Sequence, residues 1–186
     1  MTDTKIAQQA PLNFQYYQRK EGRWRGRFRF AITDVEALAA SGLGRLDRWS
    51  LRMTDLLSRS GRAVLATTLD ATTGREQNEV LHTTRLSMFG ITLLRSDETM
   101  GLDADGRKLV MKGRQSAFPW LAKPVEWIAP GAVAEDHDGA VYHIPFYGTT
   151  IKQEMRMTPE GLEMTQTSPF SEAVVVLKRQ RPLGRS

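Results

Sequence analysis

From about residue 63 onward the sequence is a succession of short alternating runs, each closed by a turn signal. Thr73-Gly74, Gly90, Asp103-Ala104-Asp105-Gly106, Asp136-His137-Asp138-Gly139, Gly148 and Pro159-Glu160-Gly161 mark the reversals. Gly and Asp at such points supply the backbone freedom that tight hairpins need. Between them the pattern predicts strands over Ala63–Leu69, Glu79–Met88, Ile91–Met100, Arg107–Gln115, Val125–Val133, Ala140–Tyr147, Thr149–Met157, Leu162–Ser168 and Glu172–Arg179. A chain of consecutive hairpins must either leave exposed edges or close on itself.

The first strand lies upstream of this series. In Trp24-Arg25-Gly26-Arg27-Phe28-Arg29-Phe30-Ala31-Ile32 the apolar and basic residues alternate with a period of two. Alternate side chains of a strand point to opposite faces. Trp24, Phe28, Phe30 and Ile32 therefore share a buried face, and Arg23, Arg25, Arg27 and Arg29 share a wet one. Thr33-Asp34-Val35-Glu36 has the form of a capping box, with Thr as the cap. It predicts a short helix ending at Gly42. Leu46, Trp49, Met53, Leu56 and Leu57 recur at steps of three and four, which predicts a second helix over about Arg45–Arg59.

These elements define a mainly β fold: an antiparallel up-and-down barrel of about nine or ten strands, with a short helical pair between the first and second strands. The expected organisation is one domain over 1–186. It has an arm at 1–20, a barrel over 22–181 with a helical insertion at about 34–60, and a tail at 182–186. The last strand could close the barrel or pair across a homodimer; periodicity does not choose between them.

Charge argues against a polyanionic partner. The net charge is +5. Residues 1–62 carry 12 Lys+Arg against 6 Asp+Glu, residues 63–177 carry 10 against 15, and residues 178–186 carry 4 basic residues and no acid. The excess lies at the two ends, and the strands between are acidic. The Arg23/Arg25/Arg27/Arg29 row is a solvated outer face, with Glu154, Glu163 and Glu172 as candidate partners. Its interleaved aromatics point the other way and cannot stack on bases beside it. Nucleic acid is therefore not the expected partner. The polar start and the lack of a long apolar run point to a cytoplasmic protein with no transmembrane segment.

Chemistry-bearing motifs are sparse. The chain has no Cys and three His, His82, His137 and His143, none at metal-ligand spacing. No phosphate loop, dinucleotide fingerprint or nucleophile elbow is present. No metal and no cofactor is indicated. The inward face predicted by parity is rich in Met, Trp and Phe and includes a few polar groups. Phe28, Met111, Trp127 and Met155 are candidates for apolar contact with a ligand, and His82, Tyr142, Gln153 and Gln166 for orienting it. A mostly apolar pocket with a few convergent polar groups is the usual form of a small-molecule site. An enzyme acting on such a molecule, with His82 or Tyr142 as acid or base, is the alternative. A basic surface for nucleic acid or membrane is the third reading. The strand Ile91–Met100 does not resolve by parity, because Arg95, Asp97 and Glu98 fall on both faces.

Gly22-Arg23-Trp24, at the start of the first strand, resembles the Gly-x-Trp signature of lipocalins. The resemblance implies that Trp24 plugs the closed end of a barrel and that Arg179 or Arg181 packs over it. A helical pair after the first strand is similar to the arrangement in intracellular fatty-acid-binding proteins. Both families are calycins, barrels that bind small apolar ligands. The lipocalin Thr-Asp-Tyr motif and the Arg-x-Tyr pair of the last fatty-acid-binding strand are absent, so a carboxylate-binding pocket is not carried over.

Overall fold

A computed structural model describes residues 19–59, 65–73, 79–102, 108–117, 123–134, 138–146 and 148–180. The arm up to residue 18, the Asp103–Gly106 turn, His137, Arg181 and the tail at 182–186 lie outside them. The chain order is β1 (Gly22–Ile32), α1 (Val35–Ala40), α2 (Arg45–Arg59), β2 (Leu65–Thr73), β3 (Glu79–Met88), β4 (Ile91–Leu102), β5 (Leu109–Ala117), β6 (Val125–Val133), β7 (Gly139–Phe146), β8 (Thr149–Thr158), β9 (Gly161–Ser168) and β10 (Ser171–Arg179).

Every strand pairs antiparallel with its sequence neighbours, and β1 pairs with both β2 and β10. The result is a closed ten-strand meander with its helical pair between β1 and β2. This is the antiparallel up-and-down barrel expected from the pattern of turns. Both edges of β10 are occupied, by β1 and β9, so this strand closes the barrel. No helix among the described residues is long and apolar enough to cross a membrane.

Parity decides the inside of each strand. In β1, Trp24 and Phe30 are buried while Arg23, Arg25, Arg27 and Arg29 are exposed. In β4, Ser96, Glu98 and Met100 are buried, whereas Arg95 faces solvent. The strand that parity left open therefore turns Glu98 inward. A register shift after Leu86 disturbs the β3–β4 ladder, and both Leu93 and Leu94 reach the interior. The β3–β4 reversal is a two-residue turn, Phe89-Gly90, with φ of 50° and 82°. Two positive φ values match the right-handed twist of a hairpin.

Two seams of the barrel are only partly zipped. β1 pairs with β2 over Gly22–Arg27 alone. Beyond that point α2 takes over the edge: Ser58 Oγ accepts from the Phe30 N–H at 2.9 Å, and Asp55 Oδ1 from the Ile32 N–H at 3.2 Å. β6 and β7 share three rungs, Gly131–Tyr142, Ala132–Val141 and Val133–Ala140. Pro130 and Pro145 follow in the parting strands, and neither has an N–H to continue the ladder.

The helices differ from expectation in detail. Asp34, not Thr33, caps α1: its Oδ1 accepts from the N–H groups of Glu36 and Ala37, both at 2.9 Å. Thr33 is still engaged in sheet-like pairing, its N–H donating to the Phe170 carbonyl at 2.9 Å. α2 has the expected span, but Leu56 and Trp49 are largely exposed. Its barrel side carries Trp49, Ser50, Met53, Thr54 and Leu57, so Trp49 both lines the interior and reaches solvent. Asp55 and Ser58 of the same helix face the β1 edge.

The barrel is filled unevenly. Trp24, Leu69, Met100, Met111, Tyr142, Met155, Leu162 and Leu177 belong to one fully buried cluster. A small second cluster of Leu38, Leu43 and Phe170 anchors the helical pair to the β9–β10 turn. Gly161 permits a close strand approach at the packed end. Its φ is +150°, and a Cβ there would overlap the Leu177 carbonyl.

Candidate ligand cavity

Between the packed end and α2 lies a cavity of about 450 Å³. Volumes of roughly 300–1,000 Å³ are usual for small-molecule sites. Its walls are mostly apolar. Phe28 and Phe30 of β1 stack with ring centroids 6.3 Å apart, and Leu86, Met88, Leu93 and Leu94 line the β3–β4 side. Trp49, Met53 and Leu57 of α2 form the roof. Trp127, Ile144 and Phe146, from the two sides of the parted β6–β7 seam, complete the wall.

The predicted residues divide by depth. Phe28, Trp127, Gln153 and Gln166 line the cavity. Met111, Tyr142 and Met155 lie in the packed cluster below it and do not form its wall. His82 is fully buried behind Glu98, with Nδ1 4.0 Å from Glu98 Oε2. Parity assigns a face but not a height along the barrel, so residues two rungs apart on one face separate into core and lining. Val125, the first residue of β6 and on the same alternating face as Trp127, is more than half exposed.

The inner end of the cavity is polar. Gln166 Nε2 donates to Gln153 Oε1 at 2.5 Å, and Gln153 Nε2 reaches Met111 Sδ at 4.0 Å. Ser96 Oγ donates to Glu98 Oε1 at 2.8 Å. Among the described residues, Thr67 Oγ1, Thr84 Oγ1, Glu98 Oε2, Trp127 Nε1 and both ring nitrogens of His82 are buried without a hydrogen-bond partner. Each such atom costs roughly 1–3 kcal/mol if it stays unpaired.

A buried basic group lies beneath this floor. Lys20, from the segment before β1, is fully buried, and its Nζ donates to Met155 Sδ at 3.2 Å. Burial lowers its pKa from 10.5 to about 7, against the opposing pull of Glu98. Burial also raises the Glu98 carboxyl, and the Ser96 hydrogen bond and Lys20 oppose it. Burial, helped by the charge of Lys20, holds His82 well below its ordinary value, so it is neutral at neutral pH. Glu98 and Lys20 were both missed from sequence. Glu98 shares parity with the apolar Met100 and Leu102, and that signal was available. Lys20 lay in a stretch read as an arm.

At the packed end, the Trp24 indole N–H donates to the Lys20 carbonyl at 2.7 Å. The Arg179 guanidinium stands over the indole, Cζ 4.8 Å from the ring centroid, and also donates to the Arg19 carbonyl. A cation over a ring face is attracted by the ring quadrupole. On the outer wall, Asp70 of β2 bridges Arg23 at 2.8 Å and Arg85 at 2.9 Å. Of the expected acids, Glu154 pairs with Lys152, while Glu172 of β10 stands opposite Ala31 on the outward face of the Arg row, and Lys178 and Val176 lie opposite Arg25 and Arg27. No group of three or more His, Asp or Glu that could hold a metal occurs among the described residues.

No family model and no curated protein matches the sequence. Among solved structures, the chain is similar to the apo form of lipid binding protein 8 from Caenorhabditis elegans, at 11% identity and a TM-score of 0.48. The alignment covers 87% of this chain and 96% of that one.

Proposed function

We propose that the protein binds a small, largely apolar molecule inside its barrel. The observation that carries this reading is the cavity of about 450 Å³, walled by aromatic, Leu and Met side chains and roofed by α2. A dry core would close such a space, because interiors pack to crystal-like density with few voids larger than a water. Phe28 and Trp127 supply apolar contact, and Gln153 and Gln166 orient the ligand from the inner end. Trp24 with Arg179 serves as the plug of the opposite end. Entry is at the α2 side, where β1 and β2 are not zipped and where β6 and β7 part. An acid–base role for His82 or Tyr142 has less support, since neither lines the cavity.

Titration with Nile red, an uncharged dye that brightens in apolar surroundings, tests the reading. Saturable binding of one dye per chain, with a Kd on the order of micromolar, is expected. Absence of saturable binding would overturn it.

A further inference from the structure

The inner end of the cavity carries a specific chemical preference. One rung of the sheet runs His82, Glu98, Gly113, Trp127 across β3, β4, β5 and β6. Side chains in one rung share a face and neighbour one another. Gly113 has no side chain, and the Trp127 indole lies across it; a Cβ there would overlap the ring. The indole thus covers the rung position between Trp127 and Glu98. The next rung toward the mouth brings Thr84, Ser96 and Gln115 side by side. Within these two rungs Glu98, Trp127 and Thr84 belong to the cavity wall, and their Oε2, Nε1 and Oγ1 atoms are buried without a hydrogen-bond partner among the described residues.

The charges present restrict what can satisfy these atoms. Among the described lining residues there is one carboxyl, Glu98, and no Lys, Arg or His. A carboxylate head would meet a second carboxyl with no cation in the wall. An ammonium head would lie on the Glu98 side of a site already backed by Lys20, whose charge acts on Glu98. A hydroxyl fits both constraints: it offers one donor and two acceptor positions and carries no charge. It can donate to Glu98 Oε2 while accepting from the Trp127 indole or the Thr84 hydroxyl.

We propose that the cavity selects a molecule with an apolar body and an uncharged hydroxyl-bearing head, seated among Glu98, Trp127 and Thr84. This rests on the apolar-ligand reading above and names the chemistry of its polar end.

The test is displacement of Nile red from the full chain by 1-dodecanol, dodecanoic acid and dodecylamine at about pH 7.5, where the last two are charged. The alcohol is expected to compete at concentrations at least about tenfold lower than either charged analogue, a difference of about 1.4 kcal/mol. Glu98→Gln should keep alcohol binding and narrow the gap to the acid. Trp127→Phe, which keeps an aromatic ring and removes the donor, should weaken the alcohol several-fold more than it weakens Nile red. Equal competition by all three compounds, or preference for the acid or the amine, would overturn this inference and leave apolar binding standing. An unchanged gap in Glu98→Gln would overturn the role of that carboxyl. Failure of Nile red itself to bind would remove the reading beneath it, and the inference with it.

Discussion

Replacing Ala173 with Trp is expected to lower Nile red affinity at least tenfold, or about 1.4 kcal/mol, while the barrel stays folded. Ala173 is nearly fully buried on β10 and lines the cavity. In register it stands between Phe30 of β1 and Gln166 of β9. A large side chain forced into a packed core usually costs about 1–3 kcal/mol. Here the indole enters space already present, so most of that cost is avoided and the ligand's volume is taken instead. Denaturant unfolding should show a midpoint close to that of the parent chain. A folded Ala173→Trp variant that binds the dye at full strength would show that the dye sits elsewhere.

Stability should also rise as the solution is made alkaline, an effect that traces to one side chain. Lys20 titrates at about 7 in the folded chain against an ordinary 10.5. Between those values the unfolded chain holds a proton that the folded chain lacks, so raising the pH favours folding. At roughly 1.4 kcal/mol per pH unit, the gain between pH 7 and 9.5 is on the order of 3 kcal/mol. Glu98 acts in the opposite sense. Its raised carboxyl favours the folded state below its ordinary value of 4.5, and that contribution is lost as pH climbs through its folded value. His82 is depressed, so its contribution is present above 6.5 and lost as pH falls below it. Lys20→Met isolates the lysine: it should flatten the alkaline rise and stabilise the chain at pH 7, where burying an ammonium is most costly. The same slope in Lys20→Met would show that another group is responsible.

The architecture was legible because its signal is local and repeated. Each turn is marked by Gly or Asp, and most strands alternate cleanly, as Arg23 to Ile32 does. Closure follows when every hairpin needs a partner on both edges. The candidate site was only half legible. Phe28, Trp127, Gln153 and Gln166 reach the cavity, while Met111, Tyr142 and Met155 are spent on the packed end. Alternation reports a face, and both ends of a barrel share that face. Height depends on strand stagger, which no single strand encodes. Glu98 was hidden because charged residues stand on both faces of β4, and the outer Arg95 and Asp97 pair with each other at 2.9 Å. Lys20 was hidden because a lysine in a polar stretch reads as solvated. Of the acids expected beside the Arg row, Glu172 stands on the neighbouring β10, and the register also brings in Asp70 of β2, which pairs with Arg23.

The most direct measurement is native mass spectrometry of the freshly purified full chain, followed by solvent extraction and analysis of what is released. A fraction of the protein is expected to carry one extra small molecule that is extractable, apolar and hydroxyl-bearing, and missing from Ala173→Trp. A chain that flies at its bare mass, yields no extract and takes up no Nile red would contradict this expectation.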